Sequence, residues 1–355
     1  MFSNDPIWLL LNKSLKLNTR TKSLLFAMGI GGFTFIVIPL FSGYFFPRND
    51  GLSSLDDWPG AIITFFTHPA IYLYYCFEQE HIFANLMKNL FDFHELTERQ
   101  IFENNLRKAL NSKRWTLLAT FFTLIGYSLH VQAVLAHPTL SYYYPNKFVL
   151  LFINAPLSSL AGYMISLITI RFLIMVLFLF RFYNQYKPKI YPFHPDGCGG
   201  LSFIGKFVLR SFILVAIMAI DLSLLIIINL WQTNRDPFTE PSLLSLLSVY
   251  LLLFPISIVV PLFSSRAHVQ RIKQNLLFLI GTELDKQSKA LANIDMVSVY
   301  SQADELFIIR NPYKLLADLS VIPIDKTTKF QVGLLVLVSL MPILFLFMSI
   351  ALRGV

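Results

Sequence analysis

Seven stretches of the chain are apolar and almost free of charge over lengths that match the thickness of a lipid bilayer. They run from Leu24 to Phe46, Gly60 to Phe77, Trp115 to Ala136, Phe148 to Phe180, Phe207 to Trp231, Leu243 to Phe263 and Phe330 to Leu352. A helix rising 1.5 Å per residue needs about 20 apolar residues to cross roughly 30 Å of hydrocarbon, so each stretch is a candidate span. The second is the shortest and carries His68 and Pro69. Composition points the same way, with 55% hydrophobic and 14% charged residues and a mean hydropathy of +0.59. A soluble domain averages about 45–50% apolar and about 25% charged. The 34 Phe and 15 Tyr also exclude an intrinsically disordered chain. Two cysteines, Cys76 and Cys198, build no disulfide framework. The mostly polar first 23 residues do not read as a cleaved signal and are expected to stay. The expected fold is all-α and polytopic.

Lys and Arg concentrate in cytoplasmic loops, which orients such a chain. With the N-terminus inside, 24 of the 29 Lys and Arg fall before Leu24 or in 80–114, 181–210 and 265–329. The other face then holds Arg48, Lys147, Arg235 and Arg353, and Arg171 sits within a span. This partition predicts seven crossings, with the N-terminus inside and the C-terminus outside. The net charge of +8 then reflects anionic lipid at the inner surface. Nucleic acid is not an expected partner, because no basic, aromatic-rich surface stands on a separate soluble domain.

A cytoplasmic helical layer is expected from 80–114, 181–206 and 265–329. Thr97 and Gln100 have the spacing of a capping box, and Ile101, Phe102, Leu106, Ala109 and Leu110 follow at helical spacing, predicting a helix that runs into the third span. Val269, Ile272, Leu276, Ile280 and Leu284 predict that the sixth span continues inward as one rod over 266–292. A further helix is expected from Met296 to Ile309, and Asp325 with Thr328 reads as the N-cap of the last span. No linker or repeat divides the chain, so 1–355 is read as one domain.

The connection between the fourth and fifth spans contains His194, Pro195, Asp196, Gly197, Cys198, Gly199, Gly200 and Leu201. Glycines that accept positive φ, with a proline that fixes its own, make a sharp turn. His194, Asp196, Gly197, Gly199 and Gly200 are candidates for a site that holds an anion or lipid headgroup on backbone N–H groups, or for a turn that only lets two helices pack. His194, Asp196 and Cys198 lack a second ligand cluster, so no metal site is assigned. Gly200 to Lys206 matches G-x-x-x-x-G-K, but Phe207 replaces the hydroxyl residue and a span precedes the motif, which excludes a P-loop.

Arg171-Phe172 to Arg181, the His-Pro-Asp-x-x-Gly-Gly-Leu run at 194–201, and Pro323-Ile324-Asp325-x-x-Thr328 with Phe330 together resemble a family of multi-pass bacterial membrane proteins without an assigned activity. The resemblance covers roughly the C-terminal half. Ile324 stands where family members carry Phe, and Gly197 and Cys198 stand where they carry a basic residue. The resemblance implies a bacterial inner membrane and supplies no reaction.

Ionisable groups inside spans are the natural functional candidates, because each costs at least about 2.5–3.5 kcal/mol at the bilayer centre. Arg171 and Asp221 are the pore or gating candidates. Aligned at the inner ends of their helices they come within reach of one another; aligned at the outer ends they do not. They therefore read as a structural salt bridge, a pore-lining pair, or an Arg171 that snorkels alone. Glu78-x-x-His81 is half of a di-iron set without its second half. No catalytic constellation and no cofactor motif is present, so an enzyme is not expected.

The leading expectation is a homo-oligomeric channel or pore-type conduit for ions or small solutes. The alternative is a membrane-anchored scaffold that docks a cytoplasmic partner, and the third is a lipid-acting enzyme.

Overall fold

The computed structural model describes residues 2, 4–13, 18–47, 53–91, 96–136, 147–185, 196, 198, 200–228, 230, 241–291, 314, 317, 319–320, 322, 324 and 326–353. These form helices and turns, with no strand among the described residues. A short α1, Pro6–Lys13, is followed by α2 over 19–41 and α3 over 58–91. Next come α4, Leu96–Leu110; α5, Lys113–Ala136; α6 over 147–185; α7, Ser202–Ile227; α8, Pro241–Leu291; and α9, Lys326–Arg353. The expected helix from Met296 to Ile309 and the capping residue Asp325 lie outside the described residues.

Five helices are long and apolar enough to cross a membrane: the segments Arg20–Phe41, Leu151–Tyr183, Ser202–Ile227, Leu246–Glu283 and Thr328–Met348. They belong to α2, α6, α7, α8 and α9. The second and third expected spans, in α3 and α5, are helical but are not among the five.

The helices are unequally buried. Two-thirds of the apolar window of α7 is inside the molecule (67%), against 22% for α9 and 29% for α8. α7 is therefore the hub, packed against α3, α8 and α9, while α6 packs against α5 and α8. Phe41, Phe66, Leu117, Phe330 and Phe347 are all well exposed on the outer helix faces. In water, so much apolar surface would drive aggregation; in hydrocarbon it needs no cover. The molecule is thus built as a membrane-embedded protein.

Prolines shape three of these helices. Widened, π-type turns cover Phe33–Val37, Ile63–Thr67 and Leu150–Asn154, and each ends two residues before a proline: Pro39, Pro69 and Pro156. A proline has no N–H to give the preceding turn, and its ring crowds the carbonyl four residues back; a wider turn relieves both. This is why the helix continues through His68-Pro69 and does not end there. Pro255, Pro261 and Pro342 are carried within α8 and α9, with Ser265 donating to the Pro261 carbonyl at 3.1 Å. A fourth wide turn, Tyr74–Glu78, has no proline behind it.

α8 runs for 51 residues, which makes it the expected continuous rod. Val269 is buried, the His268 ring lies 6.0 Å from Tyr183, and Lys273 donates to the carbonyls of Ala317 at 2.6 Å and Leu319 at 2.9 Å. The expected continuity of α4 into the third span is interrupted. The chain turns at Asn111 and Ser112 before α5 begins, and the Trp115 indole N–H bridges the break to the Ala109 carbonyl at 2.7 Å. α4 also starts at Leu96, which places Thr97 inside the helix, not at its cap.

Candidate functional site: polar clusters between apolar helices

Two polar clusters lie between the apolar helices, and each contains one of the intramembrane residues singled out in the sequence. Arg171 is 2% exposed and faces the N-terminal segment. One guanidinium nitrogen, Nη2, lies 2.8 Å from Asp5 Oδ2, and Nη1 donates to Gln79 Oε1 at 3.1 Å. The Tyr75 hydroxyl donates to the same Asp5 oxygen, and the Tyr163 hydroxyl lies 3.4 Å from the other. The Phe2 ring covers the face of the guanidinium, with Cζ 3.8 Å from the ring centroid. Charge, hydrogen bonds and a cation–π contact thus converge on one buried ion pair.

Local structure explains the geometry. Asp5 precedes Pro6 at the first position of α1 and caps that helix, accepting from the Trp8 N–H at 3.2 Å through Oδ1. The Tyr74–Glu78 wide turn presents Tyr75 and Gln79 to the cluster, and Gln79 Nε2 donates back to the Tyr75 carbonyl. The sequence reading missed Asp5, because the first 23 residues are polar on average. The signal was local: Phe2 and the run Ile7-Trp8-Leu9-Leu10-Leu11 flank this acid with apolar residues, and Phe2, Asp5 and Leu11 are buried.

Asp221 has different partners, so the two candidates do not form a pair. Its Oδ1 accepts from the Thr67 hydroxyl at 2.8 Å, and His68 is the next residue along α3. Thr67 closes the wide turn before Pro69, so the proline-induced bulge positions the hydroxyl that meets α7. One end of the same seam is marked by Glu78 and Arg210, 3.8 Å apart and both partly exposed. Thr67 and Glu78 are eleven residues apart, as are Arg210 and Asp221. Eleven residues are about three helical turns, or about 16 Å, so α3 and α7 lie antiparallel in one continuous register. Between the two rungs lies an internal gap of about 10 Å³, roughly one water in size, lined in part by Tyr74, Thr169, Ser211 and Ser257.

The chain matches no known protein family, no curated protein and no solved structure.

The glycine turn is closed on itself. Asp196 Oδ1 accepts from the N–H groups of Cys198 (2.9 Å) and Gly200 (3.0 Å), and Oδ2 accepts from Ser202 at the start of α7 (3.1 Å). Gly200 adopts φ of +86°, which requires glycine. Of the glycines expected to offer an anion their N–H groups, Gly200 donates to the carboxylate of Asp196. His194, Gly197 and Gly199 lie outside the described residues. Replacing Asp196 with Ala strands three donors and is expected to cost about 1–3 kcal/mol. Asp196→Asn should keep most of that stability; thermal unfolding of the purified variants in detergent checks this.

Among the described residues, no three His, Cys, Asp or Glu side chains converge as a metal site. Glu78 faces Arg210, whereas His81 stacks on the Phe77 ring at 5.9 Å.

Proposed function

We propose that the protein is a seven-span inner-membrane protein that assembles as a homo-oligomer and conducts small cations, protons included. In this reading α3 and α5 cross the bilayer with the five longer apolar helices, the N-terminus is inside and the C-terminus outside. The bacterial setting rests on the resemblance carried by the segments at 171–181, 194–201 and 323–330.

The single observation that carries the conduit reading is Asp221, an acid on the hub helix held by the Thr67 hydroxyl. It lies about 16 Å along the seam from the Glu78–Arg210 rung, near half the thickness of the hydrocarbon. A carboxylate kept at that depth without a bound Lys or Arg among the described residues is expensive, and groups of this kind mark ion and proton paths. Two further features support crossing and assembly. Phe66 on α3 and Leu117, Phe121 and Phe122 on α5 are exposed apolar side chains suited to lipid. Phe278 and Leu279 are exposed on the inner part of α8, where a second copy of the chain would cover them.

Purified protein reconstituted in planar bilayers tests the reading. Discrete cation currents from an oligomeric species are expected. An intact monomer that passes neither potassium ions nor protons overturns it.

A further inference from the structure

We infer that the Arg171 cluster is a binding pocket for carboxylates with an apolar body, and that Phe2 and Asp5 fill it as a tethered occupant. The inference is independent of the conduit reading. Asp5 and Phe2 belong to the N-terminal segment, whereas the groups that receive them come from the helix bundle: Arg171 and Tyr163 on α6, Tyr75 and Gln79 on α3. The carboxylate of Asp5 meets the guanidinium, and the ring of Phe2 covers it, with Cζ 3.8 Å from the ring centroid. Between them they present an acid and an aryl group, the two halves of an aryl-substituted carboxylic acid.

The fit of this occupant is incomplete. A guanidinium offers five N–H donors in a rigid fork, and the favoured carboxylate geometry engages two of them in parallel. Asp5 engages one nitrogen, and Arg171 Nε is buried without a hydrogen-bond partner. Asp5 is held where it is by its second duty as the cap of α1, through Trp8 N–H. An untethered carboxylate has no such constraint and can take Nη2 and Nε together. The receiving side is also specially shaped. The wide turn Tyr74–Glu78, which precedes no proline, unlike those at Phe33–Val37, Ile63–Thr67 and Leu150–Asn154, aims the Tyr75 hydroxyl and the Gln79 amide at this point. Single wide turns inside α-helices are frequent at functional sites.

The probe is 3-phenylpropanoate, with 3-phenylpropanol as the neutral control, titrated calorimetrically into the full chain in detergent. The variant Phe2→Ala/Asp5→Ala vacates the pocket and is expected to bind the acid saturably, at least tenfold more tightly than the native chain, and not the alcohol. Adding Arg171→Gln should abolish that binding. Asp5→Asn, which preserves the shape of the segment, is expected to gain in the same direction and decides the matter if the double variant does not fold. The inference is overturned by a folded Asp5→Asn or double variant that shows no saturable binding. Equal affinity for acid and alcohol, or binding unchanged by Arg171→Gln, overturns it as well.

Discussion

Replacing Arg171 with Gln is expected to lower the stability of the protein by about 3–5 kcal/mol, the largest loss foreseen for any single exchange in the bundle. The loss does not measure the attraction between two charges. It arises because Asp5, 1% exposed, would be left as an ionised carboxylate among apolar helices with only the Trp8 N–H and two tyrosine hydroxyls to hold it. The same logic predicts that Asp5→Asn combined with Arg171→Gln recovers most of the loss, since no uncompensated charge then remains buried. Thermal or denaturant unfolding of the four proteins in one detergent makes the comparison. Equal damage in the single and double variants would show that the ion pair is not what holds the N-terminal segment in the bundle.

Replacing Asp221 with Asn is expected to lower cation conductance at least tenfold while leaving the fold intact. Asn matches Asp in size and still accepts from the Thr67 hydroxyl, so the α3–α7 seam is preserved. What is lost is the negative charge that offsets part of the cost of bringing a cation out of water. Thr67→Val is expected to act in the opposite order, weakening the seam by about 0.6 kcal/mol, the average for a membrane hydrogen bond, with a smaller effect on current. Single-channel recordings alongside unfolding curves separate the two roles. A full-size current through Asp221→Asn would remove Asp221 from the path.

Much of the helical architecture was legible because apolar length and 3.6-residue periodicity are strong signals, and α8 shows this best. Its C-terminal half carries Val269, Ile272, Leu276 and Ile280 at helical spacing, and the rod forms as that spacing requires. The break at Asn111 and Ser112 was not legible. Nothing in Leu110-Asn111-Ser112-Lys113 forbids a helix, and the turn is fixed by tertiary contacts, among them Asn4 donating to the Asn111 carbonyl at 2.6 Å. The prolines were visible, whereas the widened turns that come before Pro39, Pro69 and Pro156 were not.

The polar sites divide in the same way. Arg171 and Asp221 stood out because each is an ionisable residue in an apolar run, which a sequence displays directly. Their partners did not stand out, because Asp5 and Thr67 lie 166 and 154 residues away. Pairing across such distances depends on helix registration, and two long helices can slide by several turns without disturbing their apolar pattern. Asp196 illustrates the converse case. Its three acceptor contacts are local, within six residues, and the turn it closes was readable from Asp-Gly and Gly-Gly alone.

The proposed odd crossing number underlies both the proposed inner placement of the cytoplasmic helices and the sidedness of the proposed path past Asp221. Single cysteines at Ser3 and at Gly354, in a chain with Cys76 and Cys198 replaced by Ala, test it with a membrane-impermeant maleimide. The cysteine at 354 should react in intact cells, and the one at 3 only after permeabilisation. Reaction of both from the same side would mean an even number of crossings and would contradict the assignment.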